Sequence, residues 1–337
     1  MTRALPEPVE RARELVAPRL HAVAGRLAPE LWAVVGYHFG WTDADGAPGN
    51  GLGGKAVRPA LALLSAEAIG AEPDVALDGA VAVELVHNFS LLHDDIMDRD
   101  RERHHRATAW TLFGEPRAIL AGDALVNLSV DVLLEPATPE RVSAAALLSR
   151  ATARMIDGQA QDLALEGRPD VTVDECLAMI SAKTAALLSC ASAIGAVLAG
   201  GDDRLVAALS AYGEHVGVAF QAVDDQLGIW GEPEVTGKPT FGDLRQRKRS
   251  LPVAAALEAG GADAESLTRL LARPDLSEEE LALAAELVER AGGRARAQEE
   301  ADGRLRLALE ELERAAMPEH VRAELASLAR FIAFREF

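Results

Sequence analysis

Residues 87–98 read His87-Asn88-Phe89-Ser90-Leu91-Leu92-His93-Asp94-Asp95-Ile96-Met97-Asp98, an apolar run that ends in three acids. At 3.6 residues per turn, Asp94 and Asp98 stack one turn apart and Asp95 sits beside them. Three carboxylates on one surface repel one another, and a hard divalent cation such as Mg2+, bound through oxygen, relieves that repulsion. An acidic, solvated helix end would carry the same residues. A second stretch, Phe220-Gln221-Ala222-Val223-Asp224-Asp225-Gln226-Leu227-Gly228, is another apolar helix with adjacent acids. Two such helices suggest two walls of one cleft. Metal ions held between them would meet an anionic ligand, and a diphosphate is the obvious one.

The cations point the same way. Of 34 basic residues only four are lysine, Lys55, Lys183, Lys238 and Lys248, which leaves 30 arginines. A chain that uses Arg for general charge keeps Lys where a compact ammonium suits phosphate oxygens. Codon bias with random leftovers would give the same count. The positions are less random: Gly53-Gly54-Lys55, Lys183-Thr184, Gly237-Lys238, and Lys248 just beyond the second acid pair. Lys55 and Arg58 lie three apart, so one helical turn would aim both the same way.

Helices must hold these residues. Hydrophobic residues make up 49% of the 337 and aromatics only 4%. Ala and Leu dominate over β-branched residues, which predicts an all-α fold. Helices are expected over 7–39 with a break at Pro29, then following Lys55-Ala56-Val57-Arg58-Pro59 to Ile69, and from about Leu77 to Asp98. Further helices are expected over 116–134 and 140–164, and after the capping box Thr172/Glu175. A helix following Asp202-Asp203 delivers Asp224 and Asp225. Asp243–Leu257 reads as helical with a kink or break at Pro252. Residues 99–109 read either as a cationic lid over the acids or as an exposed linker. His104 and His105 adjoin there, but neighbouring histidines face different ways and no Cys is near, which argues against zinc. From about residue 262 the helices are rich in Glu and Arg and predict an outer, solvated layer. Short turns link every helix, so residues 1–337 read as one domain.

Net charge is −19 and the pI near 4.9, which excludes a nucleic-acid partner. Cys176 and Cys190 sit in apolar helical patterns and predict free, buried thiols in a reducing cytoplasm. The N-terminus has no apolar signal core. The run Thr184–Leu198 is too short and too polar for a transmembrane segment.

The blocks GGKAVRP, ELVHNFSLLHDDIMD, ILAGDAL, DGQAQDL, KTAALL and FQAVDDQLGIWGEPEVTGKPTFGDLRQRKRSLP occur in one order. In these the chain resembles the trans-isoprenyl diphosphate synthases of the polyprenyl synthetase family. The resemblance implies a helical bundle around a deep central cavity, a homodimer, and condensation of isopentenyl diphosphate with an allylic prenyl diphosphate. It implies Mg2+, three ions with substrate bound. Asp94, Asp95 and Asp98 match the first metal motif, and Asp224 and Asp225 the second. Lys183, Lys238 and Arg103 match groups on the allylic diphosphate, with Lys248 nearby. Thr184 and Gln221 match polar atoms near the carbocation. Lys55, Arg58 and His87 match the isopentenyl diphosphate site.

Three departures stand out. His104 replaces a second Arg that helps hold isopentenyl diphosphate, and a histidine lacks the guanidinium fork. Ala107 replaces a Pro. Gly228 replaces the last acid of the second motif, which predicts a weaker metal site there. Phe89 lies five residues before Asp94, about 7.5 Å back along the helix. An aromatic at this position resembles the family's floor for chain growth and implies a geranylgeranyl product, with farnesyl and one isoprene longer as neighbours. Phe89 as ordinary core is the alternative. Two other readings keep the fold: a class I terpene cyclase or transfer to another acceptor, and a non-catalytic partner subunit that binds prenyl diphosphates.

Overall fold

The computed structural model describes residues 5–49, 51, 56–103, 106–232 and 240–334. It is 77% helical. Helices α1 (Glu7–Ala24) and α2 (Pro29–His38) each carry a proline in the first turn, where its missing N–H would have no helical partner anyway. The loop after α2 folds back, with Trp41 stacked on Phe39 at 4.5 Å and on Trp32 at 5.4 Å. Helix α3 (Val57–Glu67) carries Arg58 in its first turn; the expected alignment of Lys55 with it lies outside the described residues. A 3-10 turn at Pro73–Ala76 leads into α4 (Leu77–Met97).

Residues 102–103 and 106–107 are paired strand, not a bare linker. Strands β1 (Glu102–Arg103) and β2 (Arg106–Ala107) pair as a small antiparallel hairpin. Tyr37 Oη donates to the Ala107 carbonyl at 2.7 Å, and the Arg106 guanidinium lies 4.4 Å over the Tyr37 ring. The hairpin is therefore tied to α2. Helices α5 (Ala109–Phe113), α6 (Glu115–Leu134) and α7 (Pro139–Leu165) follow.

Helix α8 (Val173–Ile180) opens with the predicted Thr172/Glu175 capping box and runs through a π-turn (Ser181–Ala185) into α9 (Ala186–Leu198). The apolar run expected to be short thus belongs to a continuous 26-residue helix. Residues 73–97 and 173–198 are both long and apolar enough to cross a membrane, yet 67% of each apolar window is packed inside the bundle. Apolar on all sides, α9 is the central helix, buried among α3, α7 and α10 (Asp203–Trp230). Cys176 and Cys190 are buried free thiols, and burial pushes Cys190 up to about 12.

Of the kink or break expected in Asp243–Leu257, the structure has the break, just ahead of Pro252, which leaves two helices. α11 (Gly242–Arg245) ends in a turn, and α12 (Leu251–Glu258) begins with Pro252 in its first turn. Pro252 starts a helix there and kinks none. Beyond lie α13 (Gly261–Leu271), α14 (Glu278–Arg290), α15 (Gly293–Arg314) and α16 (Glu319–Phe334). Only their outer faces are a solvated charge layer, laced by pairs such as Arg304–Glu300 and Arg314–Glu310. The inner face of α15, with Ala297, Ala301 and Ala308 buried, packs along α10 and belongs to the core.

Candidate active site

The π-turn is where the site is assembled. A π-turn inserts one extra residue into a helix and re-aims its side chains. Two glycines let neighbouring helices approach its backbone. A Cβ on Gly158 of α7 would come within 2.2 Å of the Lys183 nitrogen, and one on Gly217 of α10 within 2.5 Å of Ala185 Cα. One turn beyond each glycine, on the same face, stands the residue that meets the π-turn. Asp162 accepts from Lys183 Nζ at 2.5 Å, and Gln221 Oε1 accepts from Thr184 Oγ1 at 2.8 Å. Gln221 Nε2 donates in turn to Asp225 Oδ1 at 2.8 Å, and the Leu251 amide donates to Asp225 Oδ2 at 2.8 Å. The start of α12 thereby anchors the second acid pair.

The three neighbouring acids Asp94, Asp95 and Asp98 have different partners. Asp95 is 2% exposed and accepts from Arg103 Nε of the hairpin at 2.7 Å. Asp98 accepts from Lys248 Nζ at 3.2 Å. Burial raises the Asp94 pKa, Lys183, Arg103 and Lys248 lower it, and Asp98 raises it. One carboxylate therefore feels three of the predicted diphosphate cations. Asp95 is pushed up to about 6, mainly by burial against the pull of Arg103. Burial opposes the charge of Lys248, but Asp98, Asp243 and Asp162 outweigh it and raise its pKa. Lys248 thus joins the two acid-bearing walls.

The chain turns sharply beside both walls. After α4, the amides of Arg99 and Asp100 return to the carbonyls of Ile96 and Asp95. After α11, those of Arg247 and Lys248 return to Leu244 and Asp243. Each is a Schellman cap, and each places an arginine, Arg99 or Arg247, where glycine is usual, at φ 57°. Lys248 follows directly on the second cap, which fixes its direction into the site.

Asp225 is pushed up to about 7, by burial first and then by the Asp243 charge. Asp243 was not foreseen. A Cβ on Gly228 would lie 2.3 Å from Asp243 Oδ2 and 2.5 Å from its Cγ. The acid expected to be lost at Gly228 has a carboxylate from the next helix in its space, so the expected weakening does not follow from Gly228 alone. Asp162 was also missed as a partner, although it stands one turn after Gly158 in DGQAQDL. Glu166 lies near this cluster, its pKa raised by burial and by Asp162 and Asp98.

On the other side of Arg103, a buried polar group joins α2, α3 and α4. His38 Nε2 and Asn88 Oδ1 are 3.1 Å apart, and Asn88 Nδ2 donates to the Glu84 carbonyl at 2.8 Å. Burial raises Glu84, and the Arg58 charge opposes this. Burial holds His87 well below its usual pKa, helped by Arg58, Arg103 and His38. Arg58, His87 and Arg103 are therefore neighbours, and Arg103 stands between this group and the α4 acids. Lys55, His104 and Lys238 lie outside the described residues. Phe89 is 8% exposed on α4, facing α6 through His93.

Among the described residues, no three acids or histidines converge as a ready metal cage. Mg2+ takes one or two carboxylates and completes its octahedron with water and substrate phosphate. Hard oxygen donors divided between α4 and α10, with lysines interleaved, fit such an ion.

The family model of polyprenyl synthetase matches residues 49–288. A (2E,6E)-farnesyl diphosphate synthase of Mycobacterium tuberculosis is 48% identical over 329 residues, covering 96% of this chain and 92% of that protein. A geranylgeranyl diphosphate synthase of the same organism is 43% identical over 332 residues, covering 97% and 93%. A crystal structure of a polyprenyl synthetase from Streptomyces coelicolor superposes with a TM-score of 0.93 at 55% identity, over 96% of this chain and 98% of that one. With both acid motifs, their cations and the helical bundle in place, the chain belongs to the polyprenyl synthetase family of trans-isoprenyl diphosphate synthases.

Proposed function

We propose that this prenyltransferase condenses isopentenyl diphosphate with an allylic prenyl diphosphate and releases geranylgeranyl diphosphate. The observation that carries the reading is that Asp94 of one wall lies in the field of Lys183, Arg103 and Lys248, while Lys248 also feels Asp243 beside the second wall. That space suits a diphosphate with its metal ions.

Mg2+, three ions with substrate bound, supplies Lewis-acid polarisation of the allylic carbon–oxygen bond. Asp94, Asp95, Asp98, Asp224 and Asp225 are the residues to hold it. Lys183, Lys248, Arg103 and Lys238 balance the diphosphate charge. Arrival of the diphosphate gives Lys183 and Lys248 an anionic partner in place of Asp162 and Asp98. Those carboxylates thereby keep the lysines oriented beforehand. The Thr184 hydroxyl and Gln221 amide dipoles face the allylic cation, and the apolar helices keep water from it. Arg58, His87 and Lys55 hold isopentenyl diphosphate, whose double bond attacks the cation. The proton then leaves to the departing diphosphate. A neutral His87 is a hydrogen-bond donor here and carries no charge.

Phe89 supports a floor for chain growth. The named relatives leave length open, since the farnesyl and geranylgeranyl synthases are similarly identical. We read the enzyme as a cytoplasmic homodimer. Leu120 and Leu134 on α6, and Val142, Ile156 and Leu163 on α7, are exposed at steps of seven or fourteen residues. Such apolar stripes on helices suit a second copy.

The test incubates purified protein with Mg2+, labelled isopentenyl diphosphate and dimethylallyl, geranyl or farnesyl diphosphate, and reads chain length after phosphatase treatment. Incorporation ending at geranylgeranyl supports the proposal. Hydrocarbon or alcohol from the allylic substrate alone would replace it with the cyclase, and no turnover of either kind with a non-catalytic partner.

A further inference from the structure

Phe89 does not stand alone in the seam between α4 and α6. One turn further on, His93 meets its ring edge to face, with centroids 4.9 Å apart and planes at 72°. The imidazole is seated against α6. Its Nε2 lies 3.1 Å from the Ile119 carbonyl and 3.8 Å from an Asp123 carboxylate oxygen. The carbonyl can only accept, so Nε2 carries the proton and donates. The seat exists because residue 122 is glycine. A Cβ there would come within 2.4 Å of His93 Nε2 and 2.6 Å of Cδ2.

We propose that His93 and Gly122 determine product length by bracing Phe89. The inference rests on Phe89 as the floor of the growing chain and adds what holds that floor. An aromatic ring in a helix can swing between χ1 wells unless something fills the space it would enter. Here the imidazole fills that space. The imidazole is itself pinned by a hydrogen bond and by the bare Cα of Gly122. His93 touches no substrate and is a positioning residue.

The two ends of the brace predict opposite shifts. His93→Ala frees Phe89 to turn into the vacated seat, deepens the cavity and lengthens the product. Gly122→Ala drives the imidazole off its carbonyl and onto Phe89, raises the floor and shortens the product. The ratio of longer to shorter chains should move by about two- to tenfold, the scale on which one edge-to-face aromatic contact acts. Chain ratios do not depend on turnover, so a general loss of activity does not mimic the result.

The experiment measures product chains from farnesyl and geranyl diphosphate for wild type, Phe89→Ala, His93→Ala, Gly122→Ala and the Phe89→Ala/His93→Ala pair. The expected result is longer chains for His93→Ala, shorter ones for Gly122→Ala, and a pair that matches Phe89→Ala alone. If Phe89→Ala lengthens the product while neither His93→Ala nor Gly122→Ala moves it, the brace is overturned and the floor stands. If Phe89→Ala itself changes nothing, the floor falls and the brace with it. Should His93→Ala fail to fold, Gly122→Ala and His93→Gln carry the test, and wild-type ratios in both overturn it.

Discussion

On α4, Asp94, Asp95 and Asp98 come from one short stretch, and their cations are brought from elsewhere: Arg103 from the hairpin, Lys183 from the π-turn, Lys248 from beyond α11. On α10 the acids come from several elements. Asp225 is fixed by Gln221 of its own helix and by the Leu251 amide, and Asp243 leans in from α11 over Gly228. The first wall is a local motif with imported cations, and the second is a composite. A local motif is broken only at its own residues. A composite can lose a side chain at one position and regain the charge from another element, as at Gly228.

Asp94→Ala removes the carboxylate that all three cations face. Incorporation of labelled isopentenyl diphosphate should fall by about 10²–10³-fold, the scale of losing one preorganised electrostatic group. Asp243→Asn should cost less, about tenfold, and raise the Mg2+ concentration needed for half-maximal rate. Gly228→Asp alone should also lower the rate, because the new Cβ overlaps Asp243. Combined with Asp243→Gly it should recover part of the loss. Equal losses for Asp94→Ala and Asp243→Asn would erase the distinction between the walls.

The metal-free protein offers a third test. Asp225 is pushed up to about 7 and Asp95 to about 6, against 3.8 ordinarily. Between those values the folded chain binds more protons than the unfolded one, so stability falls as pH rises from about 4 to about 7. Unfolding midpoints in a chelator should fall over that range. Asp243→Asn removes the largest charge acting on Asp225 but leaves its burial, so the part of the fall due to Asp225 should shrink while the part due to Asp95 remains. The smallest effect belongs to the caps. Arg99→Gly replaces a left-handed arginine whose exposed pair with Glu115 contributes little. It should change stability by at most about 1 kcal/mol, and in the favourable direction, by chemical denaturation. A clear loss would show that the exposed Arg99 contacts hold the end of α4.

Local pattern decided much of this protein. The helical fold, the capping box at Thr172, the buried cysteines and the acid run Asp94–Asp98 follow from interactions within about a turn of chain, which the sequence states directly. The scarcity of lysine flagged Lys183, family motifs added Thr184 and Gln221, and the structure brings Thr184 and Gln221 together. Helix boundaries near prolines were less legible, since Pro252 reads alike inside a kinked helix or at the first turn of a new one. Three things were decided by tertiary packing alone. Asp95 is turned inward to Arg103, Asp243 occupies the space over Gly228, and the π-turn aims Lys183 at Asp162 and Thr184 at Gln221. Each joins residues of two different elements, and each depends on how closely those elements approach. Side-chain periodicity fixes which face a residue lies on, but only the packed bundle fixes what that face meets.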